Sequence, residues 1–520
     1  MDAAQKTGPL VLCLLDGFGE CEPSSGNAVR LANTPHLDEL GRKFVRTNLV
    51  ASGEAIGLAA DKPGSGALGS EAIGTGRVPR PSSAEIDQVI ANKKFAANKI
   101  IERAMWIVND RKCRLHLFLP LADSTAHASM QHLHMLLRVC EANDVQVCVH
   151  AFVEERAAAP KSAARLFDPL LFALEGRGTL GTISGASYAM DRSGNWDATK
   201  EAYKAIVRGG IETKETAHEA LRAAYDKKCT DGTIVPVRIG EYEGLRGDYM
   251  GDFAADKLEW QWIGEEAGLF MFHRPDRARQ LAAMFVRQNV PEDVIEFLTE
   301  RGKAVRAFDE YGLLSLTEID SRLEQVLPAF PGQTILGTFG QTLAAKGLSG
   351  RRIATADRAM HVGHFFDGGR ATRDAVEIVA EGGQASAVER ALREEKTAFV
   401  LVNFAGADQA ARRGDLQGAI AAIEAIDSAL GNIAAAVETA RGALCIVGTH
   451  GAAEMMLDAE GKPRGLHTTN PTPFVYVNAL DAGTTLASDG RLSDVAPTLL
   501  DVLGIEKPEG MTGRSLRRTQ

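Results

Sequence analysis

Five short apolar runs constrain this chain more than anything else in it. They are "PLVLCLLDG", "LHLFLPLAD", "VQVCVHAF", "TAFVLVNFAGAD" and "GALCIVGTHG". They are predominantly apolar at both odd and even positions, so each reads as a strand buried on both faces, the signature of a parallel sheet. Helical patterns lie between them, such as Asp415 to Ala440. Alternation of strand and helix predicts an α/β fold with a mainly parallel sheet. The runs end in polar residues: Asp16, Asp123, Glu154, Asp408, and Thr449 with His450. Ligands of open α/β sheets gather at the carboxyl ends of the strands. One aspartate there is ordinarily a cap or turn residue. Asp16, Asp408 and His450 together, with His467 in "GLHTTNP", point to a metal or phosphate site.

At 520 residues the chain is long enough for two to four domains at about 150 residues each. Two stretches rich in Pro, Gly and Ser, "GRVPRPSSAE" and "VLPAFPGQT", read as linkers. They predict an outer domain from residues 1–78 and 332–520, an inserted domain from 82–328, and linkers at 79–81 and 329–331. The net charge of -10 argues against nucleic acid or an anionic membrane as partner. No apolar run approaches the ~20 residues of a membrane span, and Met1 to Gly8 lacks a signal pattern. The expectation is a cytoplasmic protein. None of the seven cysteines forms a C-x-x-C pair, so they read as free thiols.

Longer segments are more specific. "LDGFGECEPSSGNAVRLANTPHLDEL", "GTGR", "TISGASYAMDRSGNWD", "MFHRPDRARQL", "GLHTTNPTP" and "DVAPTLLDVLGIEKPEGMTGRSL" occur in an order that resembles cofactor-independent phosphoglycerate mutases, of the alkaline phosphatase superfamily. The resemblance runs nearly end to end. It implies an alkaline-phosphatase-like domain with an inserted α/β transferase-like domain. It also implies interconversion of 3- and 2-phosphoglycerate in glycolysis, through a serine and two manganese ions, by a monomer. Metal coordination activates such a serine, and two metals neutralise the transferring phosphoryl group.

The family motifs carry over unevenly. Asp16, Asp408, His450 and His467 match metal ligands. In ungapped register the nucleophile position is Gly66, in "GSGALGS" where the family has G-N-S-E-V-G-H. Ser65 takes the preceding position. Arg412 stands where a ligand histidine is expected, and Thr449 where an aspartate is. Arginine cannot ligate as imidazole does, so ordinary two-metal binding is disfavoured. The sequence suggests that Arg412 pairs with Asp408 in place of a metal. On the transferase side His127, Arg156, Arg192, Arg274 and Arg277 match substrate-binding positions, and Arg358 replaces a lysine. Ala157 and Ala186 stand where an aspartate and an arginine are expected.

Three readings follow. The preferred one is a pseudoenzyme with no metal or a reduced metal complement, serving binding, scaffolding or regulation. Its partner would be an unknown protein or a phosphorylated small acid. The second is an active manganese-dependent mutase, an isomerase whose rearranged loop uses Ser65. The third is a single-metal phosphate or sulfate ester hydrolase.

Overall fold

The computed structural model describes residues 8–122, 127–155, 160–207, 211–252, 259–300, 303–320, 322–332, 335–370, 374–394, 397–481 and 483–518. It divides into two units, Met1–Pro81 with Gln333–Gln520, and Ser82–Gly332.

The first unit is built on an eight-stranded sheet. Its order is Ala375–Ile378, Gly350–Ala354, Phe399–Phe404, Leu10–Leu15, Ala443–Gly448, Thr472–Val477, Val45–Val50 and Gly490–Arg491. The first five strands are parallel. Thr472–Val477 runs antiparallel to both its neighbours. Leu10–Leu15 is central and wholly buried. Its alternate residues feed two cores. Leu10, Leu12 and Leu14 pack with Ala72, Ile73, Val495 and Leu499 on one face. Val11, Cys13 and Leu15 pack with Val388, Ile423, Ile426 and Leu430 on the other. A strand that must satisfy two apolar faces shows no polar alternation, which is why the run is continuous. Register places the site: Leu15 is level with Phe404 and Gly448, so Asp16 and Thr449 begin where their strands end.

The helix Leu416–Thr439 is capped by the Asp415 side chain, which accepts from Gly418 N–H. It is long and apolar enough to cross a membrane by length and composition. Its residues Ala419, Ile423, Ile426, Leu430 and Ile433 are buried in the second core.

The second unit has its own sheet, ordered Leu327–Phe330, Leu313–Thr317, Ala267–Phe270, Leu115–Leu121, Val147–Val153, Gly178–Gly185, Val237–Ile239 and Thr213–Lys214. It is parallel except where Val237–Ile239 meets Gly178–Gly185. A smaller four-stranded sheet includes Gly247–Asp252 and Glu259–Gly264. Ala329 and Phe330, read from sequence as linker, instead complete the edge strand Leu327–Phe330. Phe330 is buried and stacks on Phe95, with ring centroids 6.1 Å apart. The proline in that stretch is compatible with an edge strand, which can spare a ladder donor.

Candidate functional site

Four of the expected residues meet at the carboxyl ends of the first unit's strands. Asp16 follows Leu10–Leu15, and His450 follows Ala443–Gly448 by two residues. Asp408 lies in the first turn of the helix Gly406–Arg412. His467 comes from the loop before Thr472–Val477. Asp408 Oδ1 lies 3.2 Å from both His450 Nε2 and His467 Nε2, and the two imidazole rings are 4.2 Å apart. Burial works to raise the Asp408 carboxyl, but the adjacent imidazoles override it and hold it well below the usual range. Burial, then the neighbouring His450, lowers the His467 imidazole. Gly17 sits at φ +77°, and a Cβ there would come within 2.8 Å of Asp408 Cα. The glycine after Asp16 therefore lets the two acidic segments touch.

The fifth member is Arg358, in the short turn Ala356–Arg358 that follows the strand Gly350–Ala354. Its Nε lies 3.1 Å from Asp16 Oδ2, one terminal nitrogen 2.9 Å from Asp408 Oδ2, and the other 3.3 Å from Asp357. Arg358 is 3% exposed. Its planar fork suits it to bridging two carboxylates. Two expectations are corrected here. The cation on Asp408 is Arg358; Arg412, half-buried at the end of its helix, makes no ion pair with Asp408 among the described residues. Arg358, expected to hold substrate, is committed to three carboxylates of its own chain. The Arg412 charge helps to lower the His467 imidazole.

At the position where the sequence comparison expected a nucleophile, the structure places a glycine. Gly66 opens the helix Gly66–Thr75, and a Cβ there would lie 3.2 Å from Asp16 Oδ2 and from the His361 ring. A serine at that point would face the aspartate. Ser65 caps the helix instead, its Oγ accepting from Leu68 N–H at 3.4 Å. Thr449, in place of an aspartate, donates its hydroxyl to Asp16 Oδ1 at 2.7 Å and contacts His450 Nδ1 at 2.9 Å. These residues do not fit a pair of manganese ions. The guanidinium lies between the two carboxylates that would each serve one metal, and neither Gly66 nor Arg412 offers a ligand.

Glu454 braces this end of the sheet, a role the sequence did not signal. One carboxylate oxygen accepts from Gly19 N–H at 3.2 Å and Ala452 N–H at 2.7 Å. The other accepts from Asn470 at 3.0 Å and from the Thr468 hydroxyl. It ties the His450 and His467 segments to the loop after Asp16.

The second unit carries a cationic cluster. Arg192 and Arg274 pair with buried Asp276 at 2.8 and 2.7 Å. Arg277 stands one turn-start away on the helix Pro275–Val286. Burial, then the Arg192 charge, pulls the Arg277 guanidinium down to about 9, and its Nε has no hydrogen-bond partner among the described residues. Burial opposes ionisation of Asp276, yet Arg274, Arg192 and Arg277 hold its carboxyl well below the usual range. Buried His127 contacts Glu154 at 3.0 Å. Arg156, with Ala157 and Asp123, lies outside the described residues.

A second polar cluster in that unit is structural. His116 Nδ1 and His150 Nε2 are 2.9 Å apart, His116 Nε2 is 3.1 Å from Glu266, and His150 Nδ1 is 3.0 Å from the Thr182 hydroxyl. Cys148 lies close enough to suggest a metal triad. The histidine rings, however, are nearly parallel and 5.2 Å apart, so their facing nitrogens point straight at each other. That is a shared hydrogen bond, not two ligands converging on a third point. The cysteines are free thiols; burial raises the Cys148 thiol to about 12.

Known proteins agree with this architecture. A family profile described as Metalloenzyme superfamily matches residues 8–507. The 2,3-bisphosphoglycerate-independent phosphoglycerate mutase of Clostridium perfringens is 34% identical over 98% of this chain and 99% of its own length. That of Nostoc punctiforme is 31% identical over 98% and 96%. A crystal structure of Leishmania mexicana phosphoglycerate mutase at low cobalt concentration superposes with a TM-score of 0.85, at 21% identity over 99% of this chain and 98% of that one. Matched over almost its whole length in sequence and in fold, the chain belongs to the 2,3-bisphosphoglycerate-independent phosphoglycerate mutase family, within the metalloenzyme superfamily.

Proposed function

We propose that this protein is a catalytically impaired member of its family, a cytosolic binding or regulatory protein that retains a pocket for a small phosphorylated acid. The carrying observation is Gly66: the position that should present a hydroxyl beside Asp16 presents none. Phosphoryl transfer through a serine needs that oxygen. Ser65, the alternative nucleophile, is engaged as a helix cap. Arg358 further removes Asp16 and Asp408 from service to two metals.

The retained pocket is supported by the charge balance around Asp276. Among the described residues Arg192 and Arg274 are paired with buried Asp276, and Arg277 reaches it and Glu154 through its charge. A second anion would relieve their repulsion, and planar guanidiniums suit a phosphate or carboxylate.

The test is an enolase-coupled mutase assay, with and without manganese, beside calorimetry with 3-phosphoglycerate. The expected result is no turnover, with binding that Arg277→Gln weakens. Robust turnover abolished by Ser65→Ala would overturn the reading of impairment. Calorimetry without heat would remove the pocket.

A further inference from the structure

We infer that anion binding at the cluster of Arg192, Arg274 and Arg277 is coupled to the uptake of one proton by a row of three side chains, His273, His132 and Asp87, so that the pocket holds its anion more tightly as pH falls. The inference rests on the pocket proposed above and concerns what regulates it.

The row crosses three segments of the second unit. Asp87 lies on the helix Ser82–Ala91 and His132 on the helix Met130–Ala142. His273 lies between the strand Ala267–Phe270 and the helix Pro275–Val286. His132 Nε2 is 2.9 Å from Asp87 Oδ1, and His132 Nδ1 is 2.9 Å from His273 Nε2. A carboxylate only accepts, so His132 donates from Nε2. In the neutral pair its Nδ1 then accepts the hydrogen on His273 Nε2. Nδ1 of His273 is the atom of the pair that takes the next proton. An imidazolium there keeps both bonds of the row, and Asp87 balances its charge through His132. No group has to turn. The His132 side chain is 1% exposed and that of Asp87 57%. The row therefore runs from water at one end to the cationic cluster at the other.

His273 directly precedes Arg274, and its backbone N–H donates to the His127 carbonyl oxygen at 2.8 Å. Among the described residues, the charged and titratable groups that meet the row or the cluster come from four directions. Asp87 and His132 form the row itself. His127 is paired with Glu154. Arg192 and Arg274 hold Asp276, with Arg277 beside them. On the side of the strand Leu313–Thr317, the Thr317 hydroxyl donates to the Phe272 carbonyl oxygen at 2.8 Å and brings no charge. At the cluster the guanidiniums outnumber Asp276 and Glu154. That excess opposes a further positive charge on His273. An anion in the pocket offsets it, and the imidazole then gains a proton. The coupling is reciprocal: a proton on His273 strengthens anion binding by the same factor as the anion strengthens proton binding.

The probe is sulfate, which stays a dianion throughout the range used. It is titrated calorimetrically into the full chain from about pH 8 to about pH 6, in paired buffers of different ionisation enthalpy. The expected result is an affinity about fivefold higher at the acid end, with net proton uptake on binding. His273→Gln, whose amide can still donate to His132 Nδ1, should bind sulfate with less than about a twofold change over that range. Asp87→Asn is a surface change, checked for folding by circular dichroism. It should keep the affinity seen at the alkaline end, while the rise in affinity moves to lower pH because the row has lost its counter-charge. Sulfate binding that stays level with pH overturns the inference and leaves the pocket standing. So does a rise that survives unchanged in both variants, which assigns the proton to His127. No sulfate binding at any pH overturns the pocket and the inference together.

Discussion

At the residue scale the site is altered by a few side chains. The backbone around Gly66 accepts a side chain: its Cβ contacts would be 3.2–3.3 Å, tight but against side-chain atoms. Gly66→Ser should therefore fold, at a cost of about 1 kcal/mol. It should show no mutase turnover in the coupled assay, because Arg358, Arg412 and Thr449 remain. Turnover by this single variant would mean that the missing hydroxyl is the whole defect. Arg358→Ala should be far more costly. It leaves Asp16 and Asp408 buried without their shared counter-ion, a loss of about 3–5 kcal/mol in chemical denaturation. The sequence made Asp16, Asp408, His450 and His467 legible because all follow strand ends or a matching motif. Arg358 was misread because it was assigned by the family position it fills. The strand-end argument applied to Gly350–Ala354 points to it directly, since it lies four residues beyond that strand.

At the scale of elements, the strands were readable because burial on both faces makes them continuously apolar. The exceptions are instructive. His116 and His150 interrupt two such strands and find each other only through register, which sets His116 beside Cys148 and Phe118 beside His150. No local pattern announces that pairing. It has a consequence for pH. Burial lowers both imidazoles, His150 well below its usual value, with Glu266 opposing the shift at His116. Neutral in the fold, they gain protons in the unfolded chain below about pH 6.5. The unfolded state then binds more protons, so their contribution is intact above that pH and declines as pH falls. Urea unfolding followed at a series of pH values should show the second unit weakening from about pH 6.5 towards 5. A flat profile would mean that the pair is charged in the fold.

At the scale of the whole molecule, each unit has its own sheet and its own core. All four tryptophans, Trp106, Trp196, Trp260 and Trp262, fall in the second unit. Tryptophan fluorescence therefore reports that unit, while far-ultraviolet circular dichroism reports both. The two signals should give non-coincident transitions. Arg358→Ala should shift the dichroism component without moving the fluorescence midpoint. Coincident shifts of both would show that the units unfold as one.

The bridge from Arg358 to Asp16 and Asp408 has a consequence in mass action. A metal ion stabilises a fold by an amount that grows with the logarithm of its free concentration, and that stabilisation is lost when a competitor binds the ion. A guanidinium fixed to the backbone is present at a concentration set by the chain itself, and no chelator removes it. The part of the charge balance that Arg358 supplies is therefore indifferent to the supply of metal.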